Sequence, residues 1–96
     1  MLKFLDRYMR HRAIKNHIRK LGPQLKIRYG ISKYYTEEQI RTTLDEYIIN
    51  GRYSAYAYGL YLAPEQLDGV LKKIHESKSS KSIRRHLAAN YVGGSI

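Results

Sequence analysis

The stretch Tyr35-Thr36-Glu37-Glu38-Gln39-Ile40-Arg41-Thr42-Thr43-Leu44-Asp45-Glu46-Tyr47-Ile48 carries the clearest structural instruction in the chain. Thr36 followed by Gln39 is a capping box, in which the Thr hydroxyl accepts the Gln39 backbone N–H and the Gln39 side chain returns to the cap. Tyr35 and Ile40 occupy the hydrophobic staple positions, and Glu37 and Glu38 favour the positive end of the helix dipole. Ile40, Leu44, Tyr47 and Ile48 then form one apolar face, which predicts a helix over 36–50 that stops at Asn50-Gly51.

On the N-terminal side, Leu2 to Leu21 contains no Pro or Gly and few β-branched residues, and Gly22-Pro23 reads as its stop. The apolar residues of this 2–21 helix form two sets at helical spacing. Leu2, Leu5, Met9 and Ala13 make one, and Phe4, Tyr8, Ile14, Ile18 and Leu21 lie roughly opposite. A helix apolar on more than one side is either wedged between neighbours or partnered by another chain. In 24–35, Leu25, Ile27 and Tyr29 alternate with Lys26 and Arg28 as a strand would, yet the run has no obvious pairing partner. It reads as a short extended connector or a helical extension.

On the C-terminal side, 53–62 fits both the helical and the alternating template. Helix is favoured, because two Ala supply propensity and a lone strand has nothing to pair with. Pro64 suits the first turn of a helix over 64–77 whose face is Leu67, Val70, Leu71 and Ile74. Ser77-Lys78-Ser79-Ser80-Lys81-Ser82 is a short polar break, and Ser80 or Ser82 caps a last helix over 81–92 carrying Ile83, Leu87 and Tyr91. The fold class this predicts is all-α, a small single-domain bundle of four to five helices over 1–96. Its expected central core is Ile40, Leu44, Ile48, Leu60, Leu67, Leu71, Ile74 and Leu87. A chain of 96 residues has room for one modest core.

Composition removes several kinds of chemistry. With no Cys, neither disulfides, thiolate–metal ligation nor a Cys nucleophile is available. The first nine residues never form the uninterrupted apolar stretch of a signal peptide or membrane span, and a cytoplasmic protein is expected. His11 and His17 lie six apart and so diverge on a helix, while His75 and His86 belong to different helices. All four read as solvated surface residues, and no metal or cofactor is expected. No Gly-rich phosphate loop and no Ser/His/Asp pattern is present, so the chain is not expected to be an enzyme.

Charge is the informative feature. The net +10 is unevenly placed: Met1–Lys33 holds ten Lys and Arg against Asp6 alone, Tyr34–Leu71 holds Arg41 and Arg52 against six acids, and Lys72–Ile96 holds six bases against Glu76. Either the basic ends fold against the acidic middle and partly neutralise it, or they merge into one positive face. The candidate binding surface starts with Arg7, Arg10, Arg12, Lys15, Arg19 and Lys20 and continues into Arg28, Tyr29, Lys33 and Tyr34. Ten of the eleven aromatic residues are Tyr. Exposed Tyr beside Arg28 and Lys33 can stack on bases or anchor a protein interface. The expectation is a non-catalytic binding or adaptor protein that meets an acidic protein partner or itself. The alternative is non-specific nucleic-acid binding through phosphate contacts.

The segments Tyr34-Tyr35-Thr36-Glu37-Glu38-Gln39-Ile40, Tyr56-Ala57-Tyr58-Gly59-Leu60-Tyr61 and Pro64-Glu65 together resemble a family of short bacterial proteins of unknown function. In these a similar Tyr-Tyr-Thr helix start precedes a Tyr-Ala-rich segment and an acidic turn. The resemblance covers roughly the middle third of the chain. It implies a small helical cytoplasmic protein and brings no activity or functional residue with it.

Overall fold

The computed structural model describes residues 2–47 and 53–92, with side chains for 5–46 and 53–91. The fold is all-α. Its α-helical segments are α1 (Leu2–Asn16), α2 (Gly22–Tyr29), α3 (Glu37–Tyr47), α4 (Ser54–Tyr61), α5 (Pro64–Lys73) and α6 (Ser80–Leu87). At the start of α3 the capping box forms in both directions, Gln39 N–H to Thr36 Oγ1 at 3.1 Å and Thr36 N–H to Gln39 Oε1 at 3.0 Å. Tyr35 and Ile40 are both buried beside it.

At the centre stands α4, packed against α3, α5 and α6. Its four consecutive residues Ala55, Tyr56, Ala57 and Tyr58 are all buried. A helix enclosed by neighbours is apolar all round and loses the one-sided periodicity of a surface helix. That is why 53–62 fits two templates in the sequence. Gly59 sets the approach of α6, since a Cβ there would stand 2.7 Å from Ile83 Cγ2 and 2.9 Å from Leu87 Cδ1.

The first helix does not stop at Gly22-Pro23. From α1 the chain passes into one π-helical turn, His17–Leu21, and from there directly into α2 with Pro23 in its first turn. Proline inside a helix lacks a donor and crowds the carbonyl four residues back, so an uninterrupted α-helix is disfavoured there. The wider turn gives the Gly22 N–H a different acceptor, the His17 carbonyl five residues earlier. That same carbonyl accepts the Tyr61 hydroxyl at 2.9 Å. Burial, with Tyr35 nearby, pushes the Tyr61 hydroxyl up to about 12, which keeps it a donor. Residues 24–29 are therefore the helical extension rather than a strand. Only 30–36 are irregular, leaving α2 through Gly30 at φ 89° and rejoining the core where Tyr35 N–H donates to the Tyr61 carbonyl at 2.7 Å.

One helix end and one cap differ from expectation. The helix begun at Pro64 ends at Lys73, not near 77, in a Schellman turn. His75 N–H meets the Lys72 carbonyl at 3.1 Å, Glu76 N–H meets the Leu71 carbonyl at 2.9 Å, and His75 takes φ 59°. Ser79, rather than Ser80 or Ser82, caps α6, its Oγ accepting the Ser82 N–H at 3.1 Å. Past Leu87 the helix continues as a second π turn, Ala88–Val92.

Of the expected core, Ile40, Leu44, Leu67, Leu71 and Leu87 are buried and Leu60 is half-buried. Ile74 is 36% exposed, because the Schellman turn carries it off the α5 face. Ile48 lies outside the described residues. The core also takes Ile14, Leu21 and Leu25 from the first helical arm. His17 belongs there too, contrary to the expectation of a solvated residue. It is 1% exposed, and its Nε2 lies 3.3 Å from the Tyr53 carbonyl. Three positions from Ile14 and four from Leu21, it lies on the same covered side.

Two predictions test this arm. Gly22→Ala puts a methyl where Cβ would stand 2.5 Å from the Tyr61 hydroxyl oxygen, and it should cost about 1–3 kcal/mol in urea unfolding. Adding Tyr61→Phe removes the atom the methyl meets, so the double variant should lose less than the two single losses added. Simple additivity would show that the hydroxyl does not sit against Gly22.

The second prediction concerns pH. Burial, opposed by the hydrogen bond to Tyr53, pulls the His17 imidazole below its ordinary 6.5. The unfolded chain takes up this proton as pH falls through 6.5 and the folded chain does not until lower pH. The stability His17 contributes is thus complete above 6.5 and is lost progressively below it. His86, shifted the same way by burial and by Arg10 and Lys78, adds to that slope. His17→Leu should consequently lose less unfolding free energy than the parent between about pH 7 and pH 5. Identical pH profiles would mean that His17 is not held neutral by the fold.

Candidate functional site

The ten residues of the expected binding surface do not form one face. Arg12, Lys15 and Arg19 stay together as an exposed strip on the first arm, at spacings of three and four that keep them one above another. Their side of the helix is turned away from buried Ile14, His17 and Leu21. Lys20 is exposed as well. Leu5, Tyr8 and Met9 continue this outward surface toward the N-terminus and are 56%, 53% and 41% exposed. Among the described residues, one apolar set of this helix is divided, with Ile14 and Leu21 buried and Tyr8 and Ile18 exposed, while Leu5 and Met9 of the other set are exposed.

Arg28 has a structural task. It forms an ion pair with Glu46 of α3, and that contact lowers the Glu46 carboxyl below its usual range. Lys73 likewise approaches Glu37 at 3.1 Å, tying α5 to α3, while Arg41 approaches the same carboxylate at 3.8 Å from within α3. To this extent the basic ends do fold against the acidic middle. Tyr29 is exposed at the end of α2, and Lys33 lies over the exposed Tyr34 ring at 5.5 Å in the connector.

Arg7 and Arg10 leave the strip altogether. With Ile14 they follow a spacing of three and four along the covered side of α1, one and two turns before the core begins. There they line a cleft of about 390 Å³ between α1 on one side and the end of α6 with the π turn after it on the other, with Tyr8, His11, His86, Asn90 and Tyr91 as its other walls. His11 Nδ1 and the Tyr91 hydroxyl share a hydrogen bond of 2.7 Å, and their rings are 5.5 Å apart. The His86 ring lies 5.8 Å from that of Tyr91 and edge-on to Tyr56 at 5.7 Å. Asn90 Nδ2 donates to the His86 carbonyl at 2.9 Å and stands 3.4 Å from His86 Nδ1. His86 Nε2 is buried with no hydrogen-bond partner. Partial burial, then Arg10 and Lys78, pull the His86 imidazole below its ordinary value, and burial raises the Tyr91 hydroxyl.

No local pattern could have revealed this cleft. Residues 75 and more positions apart supply its two walls, and only the packing of the chain's two ends joins them. His11 and His75 are exposed as expected, although His11 also lines the cleft, whereas His86 is half-buried in its wall. Among the described residues no group of three or more His, Cys, Asp or Glu can hold a metal ion. No helix there is long and apolar enough to cross a membrane.

No curated protein and no solved structure matches the chain. A model of a family of unknown function, DUF6559, matches residues 5–96. The chain belongs to that family, and the match extends the resemblance seen in its middle third to nearly all of its length.

Proposed function

We propose that this member of the DUF6559 family is a non-catalytic binding protein that docks an acidic protein partner on the outer face of α1. The observation behind the reading is the mixture of residues on that face. Three large apolar side chains, Leu5, Tyr8 and Met9, stand exposed next to the cationic strip Arg12, Lys15 and Arg19. Among the described residues none of those three cations meets a carboxylate. Asp6, the acid nearest in sequence, accepts the Tyr53 hydroxyl at 2.7 Å.

A helix that is apolar on two sides and covered on one has surface left for another chain. Aromatic residues, Met and Arg are the types enriched at protein interfaces, and the uncompensated cations select an acidic partner and steer its approach. Nucleic acid fits this face less well. The strip rises only about 10 Å from Arg12 to Arg19, enough for about three phosphates, and Leu5 and Met9 gain nothing from a phosphate backbone.

Pull-down of tagged full-length chain from its own cells tests the reading, with two variants alongside: Arg12→Glu/Lys15→Glu/Arg19→Glu, and Leu5→Ser/Met9→Ser. Circular dichroism confirms that each stays helical. An acidic protein retained by the parent and lost by both variants, tenfold or more in each case (about 1.4 kcal/mol), is the expected result. Retention that depends only on the cations and disappears with nuclease indicates nucleic acid instead. If the purified chain alone sediments at twice its mass and both variants abolish this, the partner is a second copy. Variants that retain what the parent retains remove this face as a docking surface.

A further inference from the structure

We infer that the cleft between α1 and the C-terminal π turn is a binding site for a small phosphorylated molecule with a flat ring, of the mononucleotide class. The inference does not rest on the outer-face reading: Arg7 and Arg10 lie on a different side of α1 from Arg12, Lys15 and Arg19, and Tyr8 stands at the edge between the two.

Size comes first. At about 390 Å³ the cleft falls in the range of small-molecule sites and is too small for a folded partner's surface element. Charge comes second. Arg7 and Arg10 line it, no Asp or Glu does, and Lys78 acts on His86 from nearby with the same sign. An open cleft with two cations and no carboxylate favours an anion over a neutral or cationic ligand.

The donors then favour phosphate. Each guanidinium offers a planar fork that fits two oxygens of one phosphate group, and cations on successive turns of a helix can approach it from adjacent sides. His86 walls the same cleft with its ring, whose Nε2 is closed off from solvent. A phosphate monoester has terminal oxygens enough for both Arg side chains. The rest of the lining is aromatic. Tyr8 and the hydrogen-bonded pair of His11 and Tyr91 supply flat faces against which a ring can stack, with a nearby Arg reinforcing it.

The test is an NMR titration of the full chain with adenosine monophosphate, with adenosine and inorganic phosphate as the two halves of the ligand. Saturable shifts at His11, His86 and Asn90 are expected, with the monophosphate binding at least about tenfold more tightly than either half. Arg7→Gln/Arg10→Gln should weaken it by about tenfold or more, while Arg12→Gln/Lys15→Gln/Arg19→Gln leaves it within about twofold. Equal weakening by both variants would reduce the effect to diffuse surface charge. Binding of phosphate alone as tightly as the monophosphate would remove the ring from the proposal, and binding of adenosine as tightly would remove the phosphate. No saturation at millimolar ligand would overturn the site. The failure of any of these arms leaves the outer-face pull-down unaffected.

Discussion

The Tyr61 hydroxyl donating to the His17 carbonyl is the contact on which the arrangement of the first third of the chain depends. It joins the central helix to the arm at the one place where the arm departs from α-helical geometry. Gly22 leaves room for the phenol, Pro23 discourages a regular helix through this point, and the π turn supplies the carbonyl that Gly22 N–H and Tyr61 share. The result is a long helical arm that keeps going past a glycine and a proline while turning Ile14, His17, Leu21 and Leu25 inward.

Everything proposed about surface chemistry follows from that rotational setting. Once Ile14 and Leu21 face the core, Arg12, Lys15 and Arg19 must face water, and Arg7 and Arg10 must lie along the edge where the arm meets the C-terminal turn. One basic helix thus serves two surfaces of different character. Its outer face is open and mixes cations with exposed apolar side chains, and its inner edge closes a cleft together with His86, Asn90 and Tyr91. Of the other charges, Arg28 on Glu46 and Lys73 on Glu37 join helices, and Arg41 pairs with Glu37 within α3. The uneven charge along the sequence is therefore partly a matter of holding helices together and partly a matter of surface.

Tyrosine takes both kinds of role as well. Tyr35, Tyr56 and Tyr58 are buried core residues, and the polar ends of Tyr35 and Tyr61 close backbone carbonyls that helix ends and the π turn leave open. Tyr8, Tyr29 and Tyr34 remain exposed. A phenol can fill volume and still satisfy a buried carbonyl, which Phe cannot do. In a helical protein with several irregular turns, that property suits Tyr to the positions where those turns meet the core.

Elements governed by neighbours three or four residues away were legible in the sequence. The Thr36 capping box, the Ile40 and Leu44 face, the Pro64 helix start and the all-α class all rest on such local interactions, and the structure contains them. Gly22-Pro23 misled because its local meaning, a helix stop, is overridden by a residue 39 positions downstream, Tyr61, that rewards continuation through the π turn. His17 was unreadable for the same reason: its burial depends on how the arm is rotated by contacts with α4. The cleft is the extreme case, with His11 and Tyr91 hydrogen-bonded across 80 positions. The sequence by itself determined the helices and the sign of the charge, because propensity, capping and net charge are short-range or additive. Only the tertiary structure decided which cations face water, which line a cleft and which are paired, because that is set by the packing of side chains far apart along the chain.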